Sequence, residues 1–222
     1  MREIQIHKLI RSRRKSIALM VSPDATLVVR APLGVSLDYI HDLVRQKRAW
    51  IETKLGEALK HGPAQKKNFI DGEDFLFLGE KQIFKIYDGS EIKLDSGTLL
   101  FPRQFLQKAE TKLIYWYKEK AIEVIAEIAR HYSEISGWKF KTINITSAKG
   151  RWGSCSSTGS INFTWKLAMA PLEIIDYVVV HELAHITEKN HSSRFWNKVQ
   201  TLLPDYKKRR KWLKDYGRTL SF

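Results

Sequence analysis

The sequence predicts an α+β protein in two parts, and three observations lead there. Short stretches of alternating apolar and polar residues, punctuated by Gly, Pro and Asp, fill much of residues 2–100. Longer stretches with apolar residues at helical spacing dominate residues 101–222. Within the second part lies a helical segment carrying a His-x-x-x-His pair, His181-Glu182-Leu183-Ala184-His185. The expected organisation is an N-terminal α+β module over 1–100 and a metal-binding domain over 101–222.

Residues 2–10 alternate and read as a first strand, followed by a basic turn over 11–15. Two strands, 16–21 and 26–30, are joined at Ser22-Pro23-Asp24-Ala25, a turn with Pro at its second position. A helix is expected from Ser36 or Leu37 to about Lys60. Ile40, Leu43, Val44, Trp50, Ile51 and Leu55 form its apolar stripe, and His61-Gly62-Pro63 stops it. Residues 69–100 read as short strands, with hairpin turns at Gly79-Glu80-Lys81 and Asp88-Gly89. Pro102 opens a long helix that Gly137 ends near Ser136. Residues 141–146 and 160–167 read as strands on either side of a Gly/Ser-rich loop, 147–159. Pro171 starts the histidine-bearing helix, and two helices follow over 194–203 and 205–216, separated by Pro204.

The formal net charge is +14. Its distribution is uneven: residues 71–100 carry 7 acidic against 3 basic side chains, while 101–222 carry 11 against 21. Such a surplus fits either a solvated surface or an anionic partner such as nucleic acid or a phosphorylated molecule. The one cysteine, Cys155, excludes an intrachain disulfide and points to a reducing compartment. No apolar run approaches the ~20 residues that span a bilayer, and the opening residues lack the apolar core of a signal peptide. A soluble, cytoplasmic protein without a membrane partner is expected.

His181 and His185 lie four apart, about 40° from one another around a helix, so one ion can touch both. Neutral imidazoles suit zinc, and the carboxylate of Glu182 beside a zinc-bound water suits a general base. The pattern also arises on ordinary amphipathic helices. Here the preceding Tyr177-Val178-Val179-Val180 buries the helix, and buried His, Glu and His without a metal would leave costly polar groups. His191 reaches the same ion only if the helix stops after His185 and the chain turns back. Asn190 is a candidate for that turn, as it tolerates the left-handed conformation, and Ser192 for the cap of the next helix. Three ligands, His181, His185 and His191, with one open position, describe a catalytic zinc site. Glu188 is the rival third ligand.

Five segments carry a resemblance: RWGSCS at 151–156, INFTWKL at 161–167, YVVVHELAH at 177–185, NHSSRFW at 190–196 and LPDYKKRRKWL at 203–213. Together they resemble the YgjP-like metallopeptidase-domain family, predicted metal-dependent hydrolases distantly related to the SprT-like proteases. A strand-strand-RAP-helix pattern over 15–55 and a DGE…LG segment at 71–79 extend the likeness toward the N-terminus. The resemblance implies a zincin-like core, an active-site helix beside a small sheet, with zinc on His181, His185 and His191 and Glu182 as base. The His185–His191 spacing equals that of metzincins, but Glu188 stands where they have Gly and no Met follows, so this is not a metzincin.

The function expected is that of a zinc-dependent hydrolase, first a metallopeptidase acting on peptide or protein. Arg151, in the Gly-rich loop, is the candidate second donor to the substrate. Asn162 is a candidate to orient substrate or a ligand histidine, against an ordinary place on a strand. Cys155 reads as a small buried residue, and Trp152, Trp165 and Trp196 as core. If the 160–167 strand is an edge, it can pair with an extended peptide. Two other readings remain: a metal-dependent hydrolase of nucleotides, favoured by the charge and Arg151, and a nucleic-acid-associated protein docked by its basic surface.

Overall fold

The computed structural model describes residues 4–22, 24–61 and 67–222 of the chain. It is α+β, as expected, and divides into two compact units, Met1–Gln65 and Lys66–Phe222. The division thus falls well before residue 100, where the sequence suggested it.

The first unit holds strands β1 (Ile6–Ser12), β2 (Ala18–Val21) and β3 (Leu27–Pro32) and helices α1 (Leu37–Gln46) and α2 (Arg48–His61). Strand order is β1-β3-β2, with β1 parallel and β2 antiparallel to β3. Leu27, Val29 and Ala31 alternate inward from β3 and meet Ile40, Val44 and Ile51 of the helices. Arg11, expected in a turn, lies in β1 and donates to the carbonyls of Pro32, Leu33 and Val35. Ser36 caps α1 by accepting from the Tyr39 amide. The single helix expected over 36–60 is two, because Lys47 leaves the helical region (φ −94°, ψ 12°). That break resets the helical phase, so Ile51 is buried while Trp50, expected on the apolar stripe, is 44% exposed. Pro23, Gly62 and Pro63, read as turn and stop signals, lie outside the described residues.

The second unit opens with a four-stranded sheet, β4 (Asp74–Phe77), β5 (Glu80–Tyr87), β6 (Lys93–Asp95) and β7 (Thr98–Pro102), in the order β4-β5-β7-β6. Leu78-Gly79 and Ser96-Gly97, all with positive φ, make its two hairpin turns. Asp88-Gly89 does not make one: β5 runs on to pair with β7 in parallel. A 3₁₀ turn over Arg103–Lys108 separates Pro102 from α3 (Ala109–Ser136), which Gly137 ends in the left-handed conformation (φ +74°). The second sheet contains β8 (Thr142–Thr146), β9 (Gly153–Cys155) and β10 (Ser160–Thr164), in the order β8-β10-β9. Strand β9 lies inside the expected Gly/Ser loop and makes β10 the central strand, not an edge. Helices α4 (Leu172–Ala184), α5 (Ser193–Leu202) and α6 (Tyr206–Tyr216) complete the unit.

One core joins both of these sheets. Phe75, Phe84, Leu99 and Phe101 of the first belong to the same buried cluster as Leu113 and Tyr117 of α3, Phe163 of β10 and Val179 of α4. Each such side chain contributes about 1.5–3 kcal/mol on burial. The Leu78 and Gly79 amides donate to the Ala168 and Met169 carbonyls, and the Tyr117 hydroxyl donates to that of Leu76. Gly79 is required twice over, since its φ is +86° and a Cβ there would lie 2.9 Å from the Pro171 ring. These contacts explain why the acidic segment joins the metal-bearing part. No helix among the described residues is long and apolar enough to cross a membrane.

Candidate metal centre

Helix α4 is buried on nearly every side, through Ile174, Ile175, Tyr177, Val178, Val179, Val180, Leu183 and Ala184. Into this apolar helix the sequence sets His181, Glu182 and, at its C-cap, His185. The helix stops there. The amides of Ile186, Thr187 and Glu188 donate to the carbonyls of Leu183 and Ala184, which tightens the last turn. Asn190 is not among the described residues with positive φ, so it does not turn the chain in the left-handed conformation expected; the tightened turn and a bend at Lys189-Asn190 make the reversal. Ser192 then caps α5, accepting from the Phe195 amide at 3.4 Å.

The reversal brings His191 back beside the other two. The metal-ligating atoms of His181, His185 and His191 all lie within 4.8 Å of one another. His191 Nε2 is 3.1 Å from His181 Nε2. Two nitrogens on a tetrahedral zinc ion, each bonded at about 2.0–2.1 Å, sit roughly 3.3–3.4 Å apart, so this pair is already near that spacing. Nδ1 of His185 donates to the Glu188 carbonyl at 2.9 Å, which fixes the tautomer and leaves Nε2 as the acceptor. The Glu188 carboxylate pairs with Lys198 at 3.2 Å and is not part of the cluster. Burial, then the neighbouring His185 and His191, then Arg210, hold His181 down to about 3. Burial, His185 and Arg210 lower His191 as well. Both are thus neutral near pH 7, the form that binds metal. Three imidazoles with a shared focus fit a divalent transition metal.

Packing places the rings where hydrogen bonds do not. His181 Nδ1 is buried with no hydrogen-bond partner among the described residues. Phe195, fully buried, stands 4.9, 4.5 and 4.8 Å from the ring centroids of His181, His185 and His191. It forms the floor of the cluster. Trp196 stacks on His191, with centroids 5.6 Å apart.

Glu182 is 6% exposed, and burial raises its carboxyl to about 7 against the opposing charge of Arg151. It shares a cavity of about 240 Å³ with Arg151, Trp152, Gly153, Tyr177, Val178, His181 and Leu213. A Cβ on Gly153 would stand 2.6–2.8 Å from the Glu182 side chain, so only glycine leaves the carboxylate its room. Arg151 is exposed and lines the same cavity. Asn162 stays within the sheet, accepting from Asn144 and donating to Ser154. Trp165 is core, whereas Trp152 and Trp196 are half-buried at the site, and Cys155 is half-buried on β9. Sequence reasoning had no signal for Gly153, Phe195, Leu213 or Arg210 at this place, because three of them lie on β9, α5 and α6, whose packing on α4 no local pattern encodes, and Leu213 shares that helix.

Comparison with known proteins agrees with this geometry. A family model described as YgjP-like, metallopeptidase domain, matches residues 15–216. Among solved structures, the crystal structure of the metallopeptidase zymogen of Pyrococcus abyssi abylysin is similar at 26% identity, over 40% of this chain and 93% of that one. Its TM-score of 0.37 is too low for an argument from shape. No curated protein matches the chain. The family implies a metal cofactor, and the extent of the match establishes that the chain belongs to the YgjP-like metallopeptidase-domain family and is a hydrolase of the metallopeptidase type.

Proposed function

We propose that the protein is a zinc-dependent peptidase in which Glu182 is the general base. The observation that carries this is the convergence of three imidazoles, one of which, His181, lines the same cavity as the buried carboxylate of Glu182. Zinc held by His181, His185 and His191 would supply the Lewis acid that makes water acidic near neutral pH. Glu182 takes the proton of the attacking water and returns it to the leaving amine. Burial raises the Glu182 carboxyl in the metal-free chain, and the charge of a bound zinc would draw it back toward the carboxylate that accepts the proton. Arg151, exposed and lining the same cavity, would donate to the substrate carbonyl oxygen. An extended peptide would pair with β9, an edge strand of its sheet, where Gly153 adjoins Glu182. β10, expected to take that role if it were an edge, is the central strand.

Elemental analysis beside a casein digestion assay tests this reading. Wild type and Glu182→Gln are expected to hold about one zinc per chain, and His191→Ala to lose most of it. Glu182→Gln should digest casein roughly 10²–10⁴-fold more slowly. Zinc in the wild type with no casein cleavage, but with release of phosphate from nucleoside triphosphates, would move the assignment to a nucleotide hydrolase.

A further inference from the structure

Two arginines stand side by side on α6 and have different surroundings. Arg209 is consumed by structure: it pairs with Asp176 and Asp205 and donates to the Glu173 carbonyl. Arg210 is exposed, and no carboxylate pairs with it among the described residues. Its guanidinium lies over the Trp196 ring, 4.8 Å from the centroid. Trp196 in turn stacks on His191 and, at 5.3 Å, on the buried Tyr206. The Arg210 charge also contributes to lowering His181 and His191, after burial and the neighbouring histidines, and opposes the burial that raises Tyr177. One cation without a carboxylate partner among the described residues thus rests on Trp196, and its field reaches His181, His191 and Tyr177.

A guanidinium held over an indole is aimed without being neutralised. Its planar fork matches a carboxylate in two parallel hydrogen bonds. Resting on the peptidase reading above, we propose that Arg210 reads a carboxylate on the peptide substrate, either an acidic side chain or a free C-terminus close to the cleaved bond. Trp196 is then a positioning residue: it contacts both Arg210 and His191, so recognition and metal ligation would share one ring.

The test uses the metal-loaded full chain and two peptide pairs, Glu against Gln beside the cleaved bond, and free acid against amide at the C-terminus. Wild type is expected to favour the carboxylate member of one pair by about tenfold in kcat/KM, mainly through KM; the pair that responds identifies the group read. Arg210→Gln should bring the two members within about twofold, and Arg210→Lys should restore part of the preference. Lys207→Gln removes the same charge from the same helix and should keep it. Fluorescence anisotropy of the labelled peptides on Glu182→Gln protein reads the same ranking without turnover. Equal treatment of both members in both pairs by wild type overturns the proposal, as does an equal effect of Lys207→Gln and Arg210→Gln. If no peptide is cleaved but anisotropy keeps an Arg210-dependent preference, the peptidase reading fails and the carboxylate site stands.

Discussion

Gly153 and Glu182 set the chemistry of the site at the scale of single atoms. The missing Cβ of one leaves room for the carboxylate of the other. Gly153→Ala is expected to displace Glu182 and lower turnover by roughly 10²-fold or more, while the melting temperature moves by only a few degrees; activity lost in step with stability would contradict this. Burial holds the Glu182 proton more tightly in the folded chain than in the unfolded one, about 7 against 4.5. The metal-free protein therefore loses stability as pH rises through that window, and the loss is complete above it. Glu182→Gln removes the effect. Denaturant titrations of metal-free wild type and Glu182→Gln should coincide near pH 4 and separate by on the order of 3 kcal/mol at pH 8.5, with the variant more stable. A constant gap across pH would mean that the carboxyl is solvated. The histidine pair that the structure brings together with His191 was legible in the sequence, since four-residue spacing on a helix is a local fact. The glycine that makes room for Glu182 was not, because its partner is distant in sequence.

Helix α5 is the element on which the third histidine of the cluster depends. Ser192 fixes where it begins, and His191 precedes that cap directly. Ser192→Ala should cost about 1 kcal/mol of stability and weaken zinc binding more than it weakens the fold, as read by competition with a chromogenic chelator. Unchanged zinc affinity would show that Phe195 alone places the ring. Elements with strong periodicity or clear punctuation were legible in the sequence: α3 with Gly137, α4 after Pro171, and α5 with its serine cap. Strand β9 was not, because Gly153-Ser154-Cys155 has no alternation or β-branched residue and is held only by pairing with β10. The break at Lys47 was also silent, since neither Gly nor Pro marks it.

At the scale of the molecule, the acidic sheet is part of the metal-bearing unit. Its phenylalanines enter one core with α3, β10 and α4, and this contact decides the boundary more than the composition shift near residue 100 does. A chain of residues 67–222 is therefore expected to unfold in one cooperative transition and to bind zinc within about threefold of the full-length affinity. Calorimetry and chelator competition would check both. A shorter chain starting at 101 should fail to fold, having lost Phe75, Phe84 and Leu99 from its core.

The free side of β9 is only three residues long. A full-length edge would offer another copy of the chain a template for sheet extension, the usual route to aggregation. A stub of this length offers too few backbone groups to nucleate such growth, yet enough to hold a short extended segment. The brevity that hid the strand among loop residues thus also limits what the outer side of β9 can pair with.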